Sequence, residues 1–282
     1  MLTALSSAVS GLDAYQEQMD IIGNNIANLN TTGYKSATVN LVDSFSDTLQ
    51  AATAATGNDN ATDAIQIGTG VMTGSVTNDW SEGAINSTGV ASNLAISGNG
   101  FFVVQDPNTG AQYVTQDGTF NINLNGNLVN SAGMELVGYS DTNLSKLGLV
   151  VINAANLDTA NPSATMSGYT INSQGIITVN MSDGTSYTRG QILLQNFTDP
   201  QALTSVGNNL YSNTVNAGGL TAPGAPGSGS LGAIQSGALE TSNVDLSAQM
   251  ADLIIAQRAF EANSKMITTS DELLQDVVNM KH

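Results

Sequence analysis

Apolar residues recur every three to four positions at both ends of the chain, and between the ends the pattern changes to alternation. From Leu246 the steps of four and three give Leu246, Met250, Leu253, Gln257, Phe260, Ser264, Ile267, Asp271, Leu274 and Val278. From Met1 the same steps give Met1, Leu5, Ala8, Leu12, Tyr15, Met19, Ile22, Ile26 and Leu29. A period of about 3.5 residues is that of a helix that packs along another helix. The C-terminal helix would run for roughly 50 Å at about 1.5 Å per residue, too long to fold into a small domain. Gly11 and Gly23 weaken the N-terminal one by about 1 kcal/mol each. Its stability must therefore come from a partner stripe, supplied by the C-terminal helix in cis or by further copies in trans. The residues singled out for that interface are Leu5, Leu12, Met19, Ile22 and Ile26 on the first helix, and Met250, Leu253, Phe260, Ile267 and Leu274 on the second.

The middle reads as strands. Phe101-Phe102-Val103-Val104 is a short apolar run entered through Gly98 and Gly100. Residues 113–115 and 119–122 are joined by Asp117-Gly118, and Asn125-Gly126 turns Ile122 back into Leu128-Val129; both dipeptides are strong hairpin signals. Further strands are expected at 135–139, 169–172, 176–181, 186–188 and 191–196. The fold class expected is α+β, with long terminal helices forming a coiled-coil-like pair around an inserted, mainly antiparallel β domain. The boundaries are residues 1–30 for the first helix, 31–64 for an extended connector, 65–235 for the β body and 236–282 for the last helix. Turn residues 28–33 close the first helix, with Gly33 as a left-handed C-cap. Ser242 and Asp245 at capping-box spacing, or Asn243, start the last one near Val244. Thr268 to Glu272 offers a place to kink it. Residues 218–232 read as a flexible or extended return connector.

Composition narrows the chemistry. Only 10% of the 282 residues are charged, six are basic, and the net charge is −17. Lys35, Lys146, Arg189, Arg258, Lys265 and Lys281 form no contiguous patch, so neither nucleic acid nor an anionic membrane is an expected partner. There is no cysteine, and the single histidine is His282. Thiol nucleophiles, disulfides, Cys/His zinc sites and a histidine triad within the fold are excluded. The acids are scattered singly through Asn/Gly-rich turns, where Asp is common for turn reasons. No catalytic, cofactor or metal site is therefore expected, and no cofactor. The glycines at 98 and 100 precede strands, not a helix, and are turn residues, not a dinucleotide fingerprint. No run of about eighteen apolar residues occurs, so no membrane insertion is expected. The first residues lack the basic and long apolar regions of a secretory signal peptide.

Several stretches carry a resemblance. Ile22-Gly23-Asn24-Asn25-Ile26-Ala27-Asn28 with Thr32-Gly33-Tyr34-Lys35 is similar to the N-terminal signature of the bacterial flagellar axial proteins, the rod and hook family. Ile65-Gln66-Ile67-Gly68-Thr69-Gly70-Val71 resembles the strand after the connector in hook and distal-rod proteins. The segment 96–102, with Asp117-Gly118-Thr119-Phe120 and Asn125-Gly126, resembles the main β domain. Residues 235–246, 256–265 and 267–272 resemble the family's C-terminal motif. The likeness covers nearly the whole chain.

This resemblance implies a structural subunit, not an enzyme, that polymerises with its own kind into a helical tube. It is exported unfolded by the flagellar type III apparatus and located outside the inner membrane. Other axial proteins, namely the rod, the hook cap and the hook–filament junction, are the implied neighbours. The hook, which couples motor torque to the filament, is the first reading, and the distal rod, the drive shaft, is the alternative. Residues 254–260 and Gly138-Tyr139 look hook-like. Many hook proteins insert a large outer domain after a segment like 136–139, and this chain is too short for one; its length and its connector also suit a distal rod. A reading of another class, a secreted enzyme or a glycan-binding β domain with helical ends, would need a convergent polar site. Activity of residues 65–235 on a substrate or glycan would revive it.

Overall fold

A computed structural model describes residues 2–52, 63–153, 165–212, 215–218 and 223–280. The protein is α+β and divides into two compact units. The first comprises Met1–Ala27, Ser36–Asp79 and Val244–His282; the second comprises Asn28–Lys35 and Trp80–Asn243.

The first unit holds two helices and a ribbon. Helix α1 spans Leu2–Ala27 and helix α2 spans Leu246–Asn279, and the two pack on each other. The 34 residues of α2 correspond to roughly 50 Å at about 1.5 Å per residue, the length expected from the stripe. Its N-cap is Asp245, whose carboxylate accepts from the amides of Ser247 and Ala248 at 2.8 and 3.4 Å. Ser242 and Asn243, which the spacing favoured, are not the cap. The Asn243 amide instead donates to the Ser81 carbonyl in the second unit. Nor is α2 interrupted near 268–272, where the helix runs on without a new cap. The hydroxyls of Thr268, Thr269 and Ser270 donate back to the carbonyls of Lys265 and Met266. A hydroxyl satisfied within its own helix has no need to start a new one.

The stretch expected as a connector carries strands. Ala37–Asp43 pairs antiparallel with Val71–Asn78, and Ser46–Gln50 with Ile65–Gly68. The Ser44 amide donates to Gly70 and that of Thr69 to Phe45, so the two pairings continue as one long two-stranded ribbon. Residues 65–79 accordingly group with the helices, away from the β body in which the sequence pattern set them. A run of polar alternation does not reveal that its partner lies about thirty residues on. Residues 53–62, the middle of the expected connector, lie outside the described residues.

The second unit is built on an antiparallel sheet. Its strands run in the order Met166–Ile171, Ile176–Met181, Ser186–Ile192, Glu135–Tyr139, Phe101–Gln105, Gln112–Thr115, Leu210–Ser212 and Thr204–Gly207. The central strand Phe101–Gln105 is buried on both faces. Phe102 and Val104 enter one core with Phe120, Leu128, Leu136, Ile177 and Ile192. Phe101 and Val103, pointing the other way by the two-residue alternation, enter a second with Val114, Phe197, Leu203 and Tyr211.

The Asn125-Gly126 hairpin forms as expected, with Leu128 opposite Ile122 and Gly126 at φ +87. The Asp117-Gly118 hairpin does not. Thr119 bridges to Asn93, and the Leu94 amide donates to the Gly118 carbonyl. A Cβ at Gly118 would lie 1.5 Å from the Leu94 carbonyl oxygen, so the glycine serves a close backbone approach and not a turn. In the return segment, Gly224 and Leu194 exchange backbone hydrogen bonds, which ties residues after 223 to the sheet; residues 219–222 lie outside the described residues.

Candidate assembly surface

The seam between α1 and α2 uses half of the expected stripe on each helix. On α2, Leu253, Phe260, Ile267 and Leu274 are half-buried, one every seven residues. The second row of the seam is Ala256, Asn263 and Ser270, buried or half-buried, and not Gln257, Ser264 and Asp271, which are exposed. On α1 the row through Ala8, Tyr15 and Ile22 is buried or half-buried, and beside it run Gly11, Gln18 and Asn25, one position before Leu12, Met19 and Ile26. A seven-residue stride leaves the second row open: it lies three or four positions on. On α1 hydrophobicity selects four, through Leu12, Met19 and Ile26, and on α2 the regular alternation of four and three carries that choice over to Gln257, Ser264 and Asp271. The buried row is three positions on, where Gly11, Ala256 and Ser270 are small enough for the backbones to approach and Asn25 is hydrogen-bonded.

Gly11 shows how close the helices come. A Cβ there would lie 2.7 Å from the Asn263 amide nitrogen. Asn25, 1% exposed, ties the end of α1 to its surroundings: its Nδ2 donates to the Ala37 carbonyl at 2.8 Å and to Gln249 Oε1 at 3.0 Å, and its Oδ1 accepts from the Ala37 amide at 3.0 Å. The ribbon is tied to α1 by Thr73, whose hydroxyl donates to Glu17 at 2.6 Å, and by Ser10, whose hydroxyl accepts from the Val71 amide at 3.3 Å. Hydrophobic periodicity does not single out Asn25, which enters the sequence reading only as part of the motif at 22–28. An asparagine one helical turn from a buried isoleucine was the available signal.

The remaining expected interface residues divide. Leu5, Leu12, Met19 and Ile26 are half-buried, Ile22 is buried, and Met250 is exposed. Met250 belongs to an outer row of α2. Leu246, Met250 and Ile254 are spaced by four along one flank, and Met266, Leu273 and Val277, with Met280 near the end, expose apolar side chains on another flank of the helix. Ile254 is 57% and Val277 54% exposed, and the described buried residues of α2 are only Ala256 and Ser270. The ribbon is likewise apolar and open, with Phe45 82% and Leu49 64% exposed. Large apolar residues exposed in such numbers on two elements mark an interaction site.

Two sequence motifs meet in the second unit. Lys35 Nζ donates to Glu240 Oε1 and to the Ser81 carbonyl, each at 2.7 Å, and Glu240 Oε1 also accepts from the Gly83 amide. The Gly33 amide donates to the Glu240 carbonyl at 3.0 Å. Gly33 has φ +65, as a left-handed residue should, yet α1 ends six residues earlier at Ala27. Its lack of a side chain serves the approach to Gln116 and Asp117, whose backbone would lie 2.8 Å from a Cβ.

Three family models match the chain: "Flagella basal body rod protein" over residues 5–35, "Flagellar hook protein FlgE/F/G D1 domain" over 95–179, and "Flagellar basal body rod FlgEFG protein C-terminal" over 235–280. The flagellar basal-body rod protein FlgG of Bacillus subtilis is 37% identical over 281 residues, covering 100% of both chains. The chain belongs to the flagellar rod and hook family. Another relative, the FlgG rod protein of Buchnera aphidicola, is 36% identical over 98% of each chain. The flagellar hook protein FlgE of Salmonella typhimurium is 25% identical over an aligned span of 421 positions, covering 99% of this chain and 100% of that one. Relatives of both names, rod and hook, thus match from end to end, as the motifs implied. The family is one of structural proteins of the flagellar axis. Its matched terminal models cover α1 with the turn to Lys35, and α2 with the strand before it; these segments contain the helical seam and the two partners of the buried ion pair.

Proposed function

We propose that this chain is a structural subunit of the flagellar axis that polymerises into a helical tube through α1 and α2, without catalytic activity. The observation that carries the reading is the exposed apolar surface of α2, with Leu246, Met250 and Ile254 on one flank and Met266, Leu273 and Val277 on another, which α1 leaves uncovered. One partner helix covers one stripe, so a helix with apolar residues on two sides needs more neighbours than its own chain supplies. Leu5, Leu12, Met19, Ile22 and Ile26, with Met250, Leu253, Phe260, Ile267 and Leu274, form the assembly interface in two layers. The inner layer closes the α1–α2 pair, and the outer one, represented by Met250, meets further copies. Other axial proteins at the two ends of the tube and the flagellar type III export apparatus are its partners, and it works outside the inner membrane.

Rod and hook are the two positions in the axis. Rod relatives at 37% and 36% identity match this chain at equal length, whereas the hook relative needs an aligned span of 421 positions against 282 residues. Equal length without a large insertion supports the drive shaft, and the hook remains the second reading on its end-to-end match. Electron microscopy of basal bodies from a strain lacking the gene separates them. A rod that stops short supports the rod position, and a rod complete through the outer rings but lacking a hook supports the hook.

A further inference from the structure

The exposed face of α1 is acidic. Asp13, Glu17 and Asp20 stand on it, and the helix holds no basic residue. Asp13 and Glu17 are one helical turn apart, so their carboxylates are neighbours and repel each other. Both line an open groove of about 260 Å³, which they share with Ala14 of the helix and with Val71 and Met72 of the ribbon. Glu17 accepts from the Thr73 hydroxyl through Oε2, and neither carboxylate has an ion-pair partner among the described residues. Met72 is 46% exposed, so the groove sets two unmatched negative charges beside open apolar surface. That combination matches a lysine, whose aliphatic stem ends in an ammonium.

The described residues of the first unit include two basic side chains, Arg258 and Lys265, both on α2. Arg258 is paired with Glu261 of its own helix at 2.8 Å. Lys265 is exposed and has no ion-pair partner among the described residues. It is turned away from the groove of its own copy. Gly11 and Asn263 face each other across the seam, since a Cβ on Gly11 would lie 2.7 Å from the Asn263 amide nitrogen. Asp13 and Lys265 each lie two positions further on, about 200° round their helices. Both therefore point away from the seam, on opposite sides of the helix pair. One copy satisfies neither charge by itself, and a second copy of the same chain satisfies both.

We propose that Lys265 of one copy enters the groove of the next, with its stem against Val71 and Met72 and its ammonium between Asp13 and Glu17. The contact rests on the axial-subunit reading and adds the surface that α2 meets, namely α1 and the ribbon of a neighbouring copy. Because its two halves lie on opposite sides of the helix pair, the contact runs head to tail and repeats along an open line of copies instead of closing on a dimer. One such contact per subunit leaves a net charge of −17 repulsive, so it fixes the register between copies while salt still favours assembly.

Charge reversal in the full chain tests the contact. Asp13→Lys and Lys265→Asp are each expected to raise the concentration at which tubes sediment about tenfold, because each sets like charges together. An equal mixture of the two variants is expected to assemble near the parent concentration, since alternating copies then place opposite charges at every contact. Recovery in the mixture supports the contact between copies, and a mixture that assembles no better than its components overturns it. Single variants that assemble like the parent overturn it too, while the tubes they form leave the axial reading standing. Parent-like assembly of Lys265→Asp beside failure of Asp13→Lys overturns Lys265 as the occupant. Both positions are exposed, so circular dichroism of the variants is expected to match the parent. If a reversal unfolds the chain, Asp13→Asn and Lys265→Gln replace it: together they are expected to weaken assembly no more than either alone, and additive effects overturn the contact. A parent chain that forms no tubes overturns the axial reading, and the contact with it.

Discussion

Lys35 Nζ lies 2.7 Å from Glu240 Oε1, with the two side chains 1% and 4% exposed, although 205 residues separate them in the chain. The pair joins the end of the N-terminal motif to the start of the C-terminal one within the second unit. Removing one partner leaves a buried charge unmatched and is expected to cost about 3–5 kcal/mol, whereas replacing both by apolar residues costs less. Denaturant unfolding of Glu240→Gln, Lys35→Met and the double variant Lys35→Met with Glu240→Leu measures this. Single variants as stable as the parent would show that the pair is not a brace.

The two layers of the helical interface separate by substitution. Phe260→Asp, in the seam, is expected to loosen the α1–α2 pair in the single chain, lowering helix content and blocking assembly. Ile254→Asp, in the outer row, is expected to leave helix content unchanged and still block assembly. Circular dichroism reads the first property and electron microscopy of polymers the second. Normal tubes from Ile254→Asp would remove the outer row from the interface.

Gly118→Ala tests the close approach to Leu94. A Cβ 1.5 Å from a carbonyl oxygen cannot be accommodated without moving backbone, so a loss on the order of 3 kcal/mol is expected. A merely flexible turn would lose only a few tenths of a kcal/mol. Thermal unfolding of the variant distinguishes the two.

Alkaline pH reports on Tyr211. Burial first, and the charge of Tyr34 second, push its phenol up from 10.0 to about 12. The folded state thus holds the proton more tightly than the unfolded one. The associated stability is complete below pH 10 and is lost as pH rises from there through about 12. Two pH units correspond to about 3 kcal/mol, at about 1.4 kcal/mol each. Unfolding followed across this interval with phenolate absorbance should show the loss, and Tyr211→Phe should flatten it.

Assembly is expected to improve with moderate salt. Seventeen net negative charges per subunit repel in a tube, and about 0.1 M salt screens exposed charges beyond roughly 10 Å. The Arg258–Glu261 ion pair, at 2.8 Å, is exposed and lies within one helix, so it does not offset that repulsion between subunits. Light scattering that falls steadily as salt is raised from low values would show attractive pairing to dominate.

Much of this protein was legible in one dimension, because its signals are local. The length of α2, the strands from Phe101 to Ile192 and the Asn125-Gly126 hairpin follow from periodicity and turn chemistry between near neighbours. The seven-residue row of Leu253, Phe260, Ile267 and Leu274 was readable for the same reason. What only the tertiary structure decided depends on partners far along the chain. The second row of the seam, at Gly11 and Asn263, follows from how closely two backbones approach, and hydrophobicity does not encode that distance. Residues 37–50, read as connector, needed their partners at 65–78 to be seen as strands. Gly118 read as a turn until Leu94 lay against it, and Asp245 rather than Ser242 caps α2 because its carboxylate reaches the amides of Ser247 and Ala248. Sequence alone thus determined which segments are helical or extended, since backbone preference and side-chain period act over a few residues. Folding decided which faces meet, since close packing acts between residues that the chain itself holds far apart.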